Sequence, residues 1–294
     1  MRKTSLLILF FILVTSACNL SVSPATPAST ASPDGNTQIP GSPTALPIVT
    51  ATVSVPVFDG TEISVEPLSI ILSPQLASGA HGTQVPPAQG DTVAPWEVTP
   101  GHTILELEGY PLQGKFHTPT IYVYPADAYG ELFPPAYESI RNLVNIQYNP
   151  GMPISNEQLP HVPFFNAAQI FSSNVQFISF RNGQGVRFLT EYAQYSAPVN
   201  NHELFYHFQG LTSDRAYYVV AILPVTVPVL AETDDVGAVI PPGGVAFPDI
   251  NDPNADWHGY YASVEFLLNN TAPEAFNPTI NQLDLLIQSI LIAP

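Results

Sequence analysis

The sequence predicts an α+β fold in which helices pack on an antiparallel β-sheet of about six to eight strands. Residues 175–225 contain four runs rich in Val, Ile, Phe and Tyr, separated by polar turn clusters, which is typical of a β-meander. Two stretches near the C-terminus have apolar residues at helical spacing instead. The 32 prolines and 18 glycines among 294 residues favour many turns over a helical bundle.

The meander is expected to turn at two polar clusters. The first, residues 181–185 (RNGQG), offers Asn and Gly to a hairpin, so Gly183 or Gly185 is expected at positive φ. The second, residues 210–214 (GLTSD), has a similar turn composition. Between them, alternate residues of the run 203–208 are expected to face the core, because strand side chains alternate between the two faces of a sheet.

Apolar patterns and the positions of Gly and Pro predict the elements on the N-terminal side of the meander. Strands are predicted over residues 65–72, 102–108 and 118–124, with a Gly/Pro-rich surface loop over residues 76–91 and an irregular connection over residues 152–169. A helix is predicted to begin at Pro134 and Pro135 and to end at residues 149–151, where Asn, Pro and Gly occur together.

Two helices are predicted to close the chain and to lie against one face of the sheet. Pro253 follows Asp252 as a first-turn proline follows a cap, and apolar residues then recur at helical spacing up to Leu268. Asn277 and Pro278 repeat this start signal before a second apolar stripe.

The N-terminus predicts a signal peptide over residues 1–17, followed by Cys18. Arg2 and Lys3 form a basic start, and residues 6–14 form an apolar run. That run is well short of the about 20 residues that a permanent transmembrane helix needs. Cys18 is the only cysteine in the chain, which excludes an intrachain disulfide.

The segment Thr15-Ser16-Ala17-Cys18 resembles the lipobox of bacterial lipoproteins. Small residues precede the cysteine as in that family, although Thr15 stands where leucine is commoner. The resemblance implies cleavage before Cys18 and transfer of a diacylglyceryl group to its thiol. The protein is then expected at the cell membrane, lipid-anchored and facing the extracellular or periplasmic side. The alternative is an ordinary secretory signal with an incidental cysteine.

Residues 18–60 are predicted to be a lipidated cysteine followed by a flexible linker. This stretch is rich in Ser, Thr, Pro and Ala and has almost no charge, so it cannot bury enough apolar surface to offset ordering. Residues 61–294 are predicted to form a single α+β domain. The linker is expected to act as a stalk between the membrane and this domain.

The net charge of −17 argues against nucleic acid as a partner, because an acidic surface repels phosphate backbones. The same acidity serves solubility. The expected partners are therefore the membrane, through the anchor at Cys18, and a protein or small molecule that the sequence does not identify.

The arrangement of the domain resembles the PsbP-type α-β-α sandwich. The resemblance lies in a short N-terminal strand, a central meander with a glycine-containing hairpin, and a terminal helix that ends in LDLLIQSILI, residues 283–292. It implies a non-enzymatic accessory or surface protein, often lipid-anchored. The domain likewise resembles those of bacterial surface lipoproteins. Neither resemblance carries a functional residue over.

No complete catalytic motif is present in the sequence. His202, Glu203 and His207 resemble the HExxH zinc motif, which needs its two histidines four apart on a helix. Here they are five apart in a predicted strand, which puts them on opposite faces. No G-x-S-x-G elbow occurs. The aromatic residues, including Trp96 and Trp257, offer stacking surfaces for sugars or peptides where several are exposed together.

One cluster of oxygen-bearing side chains is a candidate Ca²⁺ site, and no other cofactor is predicted. It comprises Asp249, Asn251, Asp252, Asn254 and Asp256, just before a predicted helix. Ca²⁺ takes 6–8 oxygen ligands, but the cluster lacks the glycine and distal glutamate of an EF-hand loop. The competing interpretation is turn formation and helix capping.

Two functions fit these observations. The favoured one is a lipid-anchored surface protein with a non-catalytic binding or accessory domain. The alternative is an envelope hydrolase with dispersed His, Asp and Glu catalytic residues. Paired carboxylates with shifted pKa values in a deep pocket favour the enzyme, whereas an apolar groove or an exposed aromatic patch favours binding.

Overall fold

Two antiparallel sheets and four α-helices make up the part of the chain that a computed structural model describes, residues 58–149 and 151–294. The strands are β1 Thr61–Val65, β2 Leu68–Leu72, β3 Gly79–Val85, β4 His102–Glu108, β5 Thr120–Pro125, β6 Ala168–Phe180, β7 Gly183–Ala193, β8 Phe205–Thr212, β9 Tyr217–Pro224 and β10 Leu291–Ile292. The helices are α1 Ala126–Leu132, α2 Pro134–Tyr148, α3 Trp257–Asn269 and α4 Ile280–Ser289, with short 3₁₀ turns at Pro95–Glu97, Asn156–Gln158 and Pro273–Ala275. The predicted signal peptide, Cys18 and nearly all of the predicted linker lie outside the described residues.

The larger sheet has seven strands in the order β3-β4-β5-β9-β8-β7-β6, and every neighbouring pair is antiparallel. After β5, the helices α1 and α2 carry the chain to β6 at the far edge. The next three strands return across the sheet until β9 pairs with β5. This path confirms the predicted α+β class and the predicted meander.

The first turn of the meander differs from its prediction. A two-residue turn joins β6 to β7, since Phe180 pairs with Gly183. Gly183 and Gly185 both lie within β7, and neither has φ in the left-handed region, so that expectation is wrong. Close strand approach explains the glycines instead. A Cβ atom on Gly185 would lie 2.1 Å from the carbonyl oxygen of Gln209 on β8.

The second turn begins later than predicted. Gly210 and Thr212, which the sequence placed in a turn, belong to β8. The left-handed conformation falls on Arg215, whose φ is 63°. Gly210 suits the strand because a Cβ atom there would lie 2.6 Å from Cζ of Phe208.

Helices cover both faces of the large sheet, whereas the sequence predicted them on one. α1 and α2 pack on one face, over a core that includes Tyr124, Val186, Phe188, Phe205, Tyr218 and Val220. α3, α4 and β2 pack on the other, over Leu105, Ile121, Leu189, Tyr206, Phe208 and Val219. Every residue of β8 is buried. One set of alternating residues on β8 includes Tyr206 and Phe208, and the other joins Phe205 and Leu211 to His207 and Gln209, whose polar atoms have buried hydrogen-bond partners, so both faces of the strand are covered.

A smaller sheet of three strands, in the order β1-β2-β10, lies at the α3–α4 face. The single strand predicted over residues 65–72 is part of the β1–β2 hairpin. The predicted loop over residues 76–91 is wrong in part, because it contains β3. Gly82 lets β3 pass β1: a Cβ atom there would lie 2.1 Å from Cγ2 of Val65. Gly82 therefore indicates close packing at this point.

The predicted helix α2 is confirmed, while the start of α3 was placed too early. α3 begins at Trp257, four residues after Pro253, because the Asp256 carboxylate caps it by accepting the backbone N–H of Gly259 at 2.8 Å. α4 begins after Thr279, whose side chain forms a capping box with Gln282.

Candidate functional site

A cavity of about 360 Å³ opens where β7 ends, close to the loop that leads to β8. Five of its eleven lining residues carry aromatic rings. It is called the aromatic cavity below and is defined by Phe116, His117, Phe165, Tyr192, Tyr195 and Glu203. These residues come from the β4–β5 connection, the segment before β6, the end of β7 and the β7–β8 connection.

The floor of the aromatic cavity is a packed group of rings. The centroids of Phe165 and Tyr192 are 4.5 Å apart, and those of His117 and Phe165 are 5.5 Å apart. Beneath them lies Phe205, a fully buried core residue of β8, 4.4 Å from the ring of His117. The floor is therefore held by the hydrophobic core and not by a surface loop alone.

Two exposed rings form the rim of the aromatic cavity, and hydrogen bonds hold both. The residues are Phe116, 63% exposed, and Tyr195, 61% exposed. The backbone N–H of Phe116 donates to the carbonyl oxygen of His202 at 2.9 Å. The hydroxyl of Tyr195 donates to Oδ2 of Asp234 at 2.6 Å, and this hydrogen bond raises the pKa of that hydroxyl. Hydrogen bonds thus hold the backbone of Phe116 and the side chain of Tyr195, although both rings face solvent.

A second cavity of about 280 Å³ adjoins the first. Phe165 and Tyr192 line both cavities and separate them, and the second is lined in addition by His161 and Phe164. Nδ1 of His161 lies 3.4 Å from the hydroxyl oxygen of Tyr192. The aromatic surface therefore extends beyond one chamber.

The one acidic side chain that lines the aromatic cavity, Glu203, is placed by the buried turn around Asn200. Oδ1 of Asn200 accepts the backbone N–H groups of His202 and Glu203 at 2.9 and 3.1 Å. Nδ2 of Asn200 donates to Oε2 of Glu203 at 3.2 Å. The amide thus fixes both the backbone and the carboxylate of Glu203.

A second carboxyl group, Glu191, lies behind Glu203 and is fully buried. Its two oxygens accept the backbone N–H and the Nδ2 group of Asn200, both at 3.0 Å. Burial raises the pKa of Glu191 well above its ordinary value, and the nearby carboxyls of Glu203 and Asp234 raise it further, against the lowering effect of the Asn200 hydrogen bond. Glu191 therefore keeps its proton to a higher pH than an exposed glutamate does.

The histidines near the site differ in surroundings. Burial and the neighbouring His202 lower the pKa of His117 to about 4, so the imidazole in the cavity wall is neutral at pH 7. His207 is fully buried on β8, and its Nε2 lies 3.1 Å from the carbonyl oxygen of Val162. Burial lowers its pKa to about 3. His202 lies in the turn before β8 and His207 within the strand, so they do not form the one-helix pair of a zinc motif.

The predicted Ca²⁺ residues lie in turns before α3. Oδ1 of Asp249 accepts the N–H of Asn251 at 2.9 Å, and Oδ1 of Asp252 accepts the N–H of Asn254 at 2.8 Å. Together with the Asp256 cap, these hydrogen bonds are the ones expected if the residues form turns and cap the helix. Across residues 58–149 and 151–294, no group of three or more His, Cys, Asp or Glu is placed to hold a metal ion. Ca²⁺ binding stays a prediction.

In the described part of the chain, none of the helices is both long enough and apolar enough to cross a membrane.

Comparison with known proteins gave no relative: no protein-family model, curated protein or solved structure matches the chain. The resemblances to bacterial lipoproteins and to the PsbP-type sandwich therefore stay predictions. The aromatic cavity is described from its own geometry.

Sequence patterns did not single out this site. The sequence around Glu203 resembles only an incomplete zinc motif, and no pattern pointed to Phe116 or Tyr195. One signal was present. Phe116 stands in the Gly- and Pro-rich connection between β4 and β5, and Tyr195 stands just after β7 among Ser, Ala and Pro. Large aromatic residues in such turn-rich segments are candidates for exposed rings.

Proposed function

We propose that this protein is a lipid-anchored surface protein whose domain binds a ligand in the aromatic cavity without catalysing a reaction. Cys18 carries the membrane anchor, and residues 18–60 link it to the domain. Binding belongs to the domain, because the aromatic cavity lies on the seven-stranded sheet and its flanking connections.

The observation that carries this proposal is the pair of exposed rings at Phe116 and Tyr195, which flank one cavity and are held through the Phe116 backbone and the Tyr195 hydroxyl. Single exposed rings such as Tyr137 are common, but two exposed rings that line one cavity together form the kind of surface that marks a binding site. Hydrogen bonds hold both residues where they flank a cavity of about 360 Å³, a volume within the usual range for small-molecule sites. Little ordering is then needed when a ligand enters.

The chemistry of the cavity wall supports binding over hydrolysis. Glu191 has the raised pKa of a general acid, but it is fully buried and does not line the aromatic cavity. Both of its oxygens are already engaged by Asn200. The described lining residues include one carboxylate, Glu203, and no Ser, Thr or Cys nucleophile. A paired-carboxylate mechanism needs two groups that reach the substrate.

The binding proposal is tested by fluorine NMR on the full chain, labelled with 3-fluorotyrosine and kept in a non-ionic detergent. Members of a library of small aromatic and aliphatic compounds are expected to shift the resonances of Tyr192 and Tyr195 before other tyrosines. The variant Tyr195→Ala should weaken these compounds about tenfold, because one rim ring is lost.

The matched control is Tyr137→Ala, which removes an exposed tyrosine on α2 that does not line the cavity. It should leave binding unchanged. The proposal fails if compounds shift no cavity resonance, or if both variants weaken binding equally.

A further inference from the structure

We propose that the ligand of the aromatic cavity is a small organic ammonium ion, whose charge lies beside Glu203 and whose apolar part lies between the rings of Phe116 and Tyr195. This inference rests on the proposed binding function. It adds the chemical class of the ligand.

The first step is the charge of the cavity wall. Glu203 is the only charged side chain among the described lining residues, and Lys115, next to Phe116 in the chain, does not line the cavity. Two ion pairs occur in residues 58–149 and 151–294, Arg141 with Glu138 and Arg187 with Asp284. Neither involves Glu203. A half-buried carboxylate held by an amide, without a cation, gives the cavity a negative potential.

The surroundings of Asp284 differ from those of Glu203. Asp284 is a carboxylate that also packs against the core, and it has Arg187 at 3.3 Å and the hydroxyl of Tyr206 at 2.8 Å as partners. Glu203 has the amide of Asn200 at 3.2 Å and the buried carboxyl of Glu191 as neighbours, and neither of the ion pairs in the described residues includes it. A cation from solution is the group that completes its surroundings.

The second step is the ring lining. The faces of Tyr and Phe rings attract a cation within about 6 Å of the ring centroid, and the attraction grows when the cation loses water. Phe165 and Tyr192 provide a packed pair in the wall of the cavity that Glu203 also lines, and Tyr195 provides a rim ring. Glu203 would repel an anionic ligand, and none of the described lining residues carries a positive charge to bind it. A neutral sugar would use the rings but leave the carboxylate without a counter-charge.

The test uses two probes of the same shape. Choline carries a quaternary ammonium, and 3,3-dimethylbutan-1-ol replaces its nitrogen by carbon. Both are titrated into the full wild-type chain in non-ionic detergent, with the fluorotyrosine resonance of Tyr195 as the readout. Choline should bind at least about tenfold more tightly, and raising the salt concentration should weaken choline alone.

Two variants locate the charge. Glu203→Gln keeps the size of the side chain and should remove the preference for choline, so that choline and its neutral isostere bind with about equal affinity. Glu62→Gln removes the same charge from an exposed position on β1 and should leave the preference unchanged. Because the wild-type comparison needs no substitution, a folding defect in Glu203→Gln cannot hide the result.

Further probes separate the outcomes. Nα-acetyl-lysine amide stands for a lysine side chain of a protein, and if it binds more tightly than choline, the ligand is not a free small molecule. If cellobiose binds and choline does not, the ligand is not an ammonium ion. If the neutral isostere binds as well as choline, the class is wrong while the binding function stands. If no probe shifts a cavity resonance, the binding function itself is contradicted.

Discussion

At the scale of single residues, the clearest feature is how differently the protein treats its buried carboxyl groups. Asp284 keeps a cation, Arg187, at 3.3 Å, whereas Glu191 has only amide donors and further carboxyls near it. Burial raises the pKa of both groups, but for Glu191 no positive charge opposes that effect. For a carboxyl group buried without a cation, the protonated neutral form costs less free energy than the ionised form.

The pH dependence of stability follows from Glu191. Its pKa is higher in the folded chain than in the unfolded one, so its stabilising contribution is complete below about pH 4.5 and is lost as the pH rises through the folded value. For one proton the loss is at most about 1.4 kcal/mol per pH unit. Relative to Glu191→Gln, the wild-type free energy of unfolding should therefore fall between pH 5 and 8.

Urea denaturation at intervals of pH measures this difference. The control Glu62→Gln changes an exposed carboxylate and should follow the wild-type curve. Parallel curves for wild type and Glu191→Gln would show that Glu191 is ionised alike in the folded and unfolded chain.

At the scale of elements, the glycines of the central strands decide how closely β7 and β8 approach. Gly185 pairs with Gly210 across the two strands, and added Cβ atoms at either would meet neighbouring atoms at well below contact distance. Both positions lie in buried strands and have φ outside the left-handed region. Their role is steric and not conformational.

Gly185→Ala should accordingly destabilise the protein by about 1–3 kcal/mol, the usual cost of overpacking a core. The added methyl group would sit 2.1 Å from the carbonyl oxygen of Gln209, so β7 and β8 must separate. The matched control is Gly79→Ala on edge strand β3, where the nearest atom would be 3.4 Å away. It should change the free energy of unfolding by no more than about 0.5 kcal/mol. Equal effects of the two changes on urea melts would contradict this account.

At the scale of the whole molecule, the seven-stranded sheet is the layer shared by two hydrophobic cores. Tyr206 and Phe208 of β8 belong to the core under α3 and α4, and Phe205 belongs to the core under α1 and α2. The aromatic cavity stands at the edge of the α1–α2 core, since Phe205 lies beneath its floor. The proposed binding site therefore adjoins a well-packed layer, as a site with a fixed shape requires.

The proposed anchor is tested with Cys18→Ser. Two acyl chains, each contributing about 0.8 kcal/mol per buried methylene, hold a protein to a membrane far more firmly than one chain does. The variant should lose its lipid and be released by mild washing, while Ser16→Ala, which keeps a small residue before the cysteine, should stay attached. Membrane fractionation with immunoblotting makes the comparison. Retention of Cys18→Ser at the wild-type level would rule out the lipoprotein proposal.

By itself the sequence determined the elements whose signals are local. The alternating apolar runs of β6 to β9 predicted the meander, and the proline start of α2 and the apolar stripe of α4 predicted those helices. These patterns depend on residues a few positions apart, so the chain order alone reveals them. The Asp and Asn residues before α3 misplaced its start because the same side chains favour turns and caps.

Only the tertiary structure decided which faces are covered and where the site lies. Both faces of β8 carry large apolar residues, and whether helices cover one or both depends on the path of α1 and α2 from β5 to β6. The aromatic cavity joins Phe116, Phe165, Tyr195 and Glu203, residues almost 90 positions apart at the extremes. No spacing rule links them, because strand order and two connections bring them together. The physical reason is that a pocket is a property of long-range packing, whereas periodicity reports only neighbours on one element.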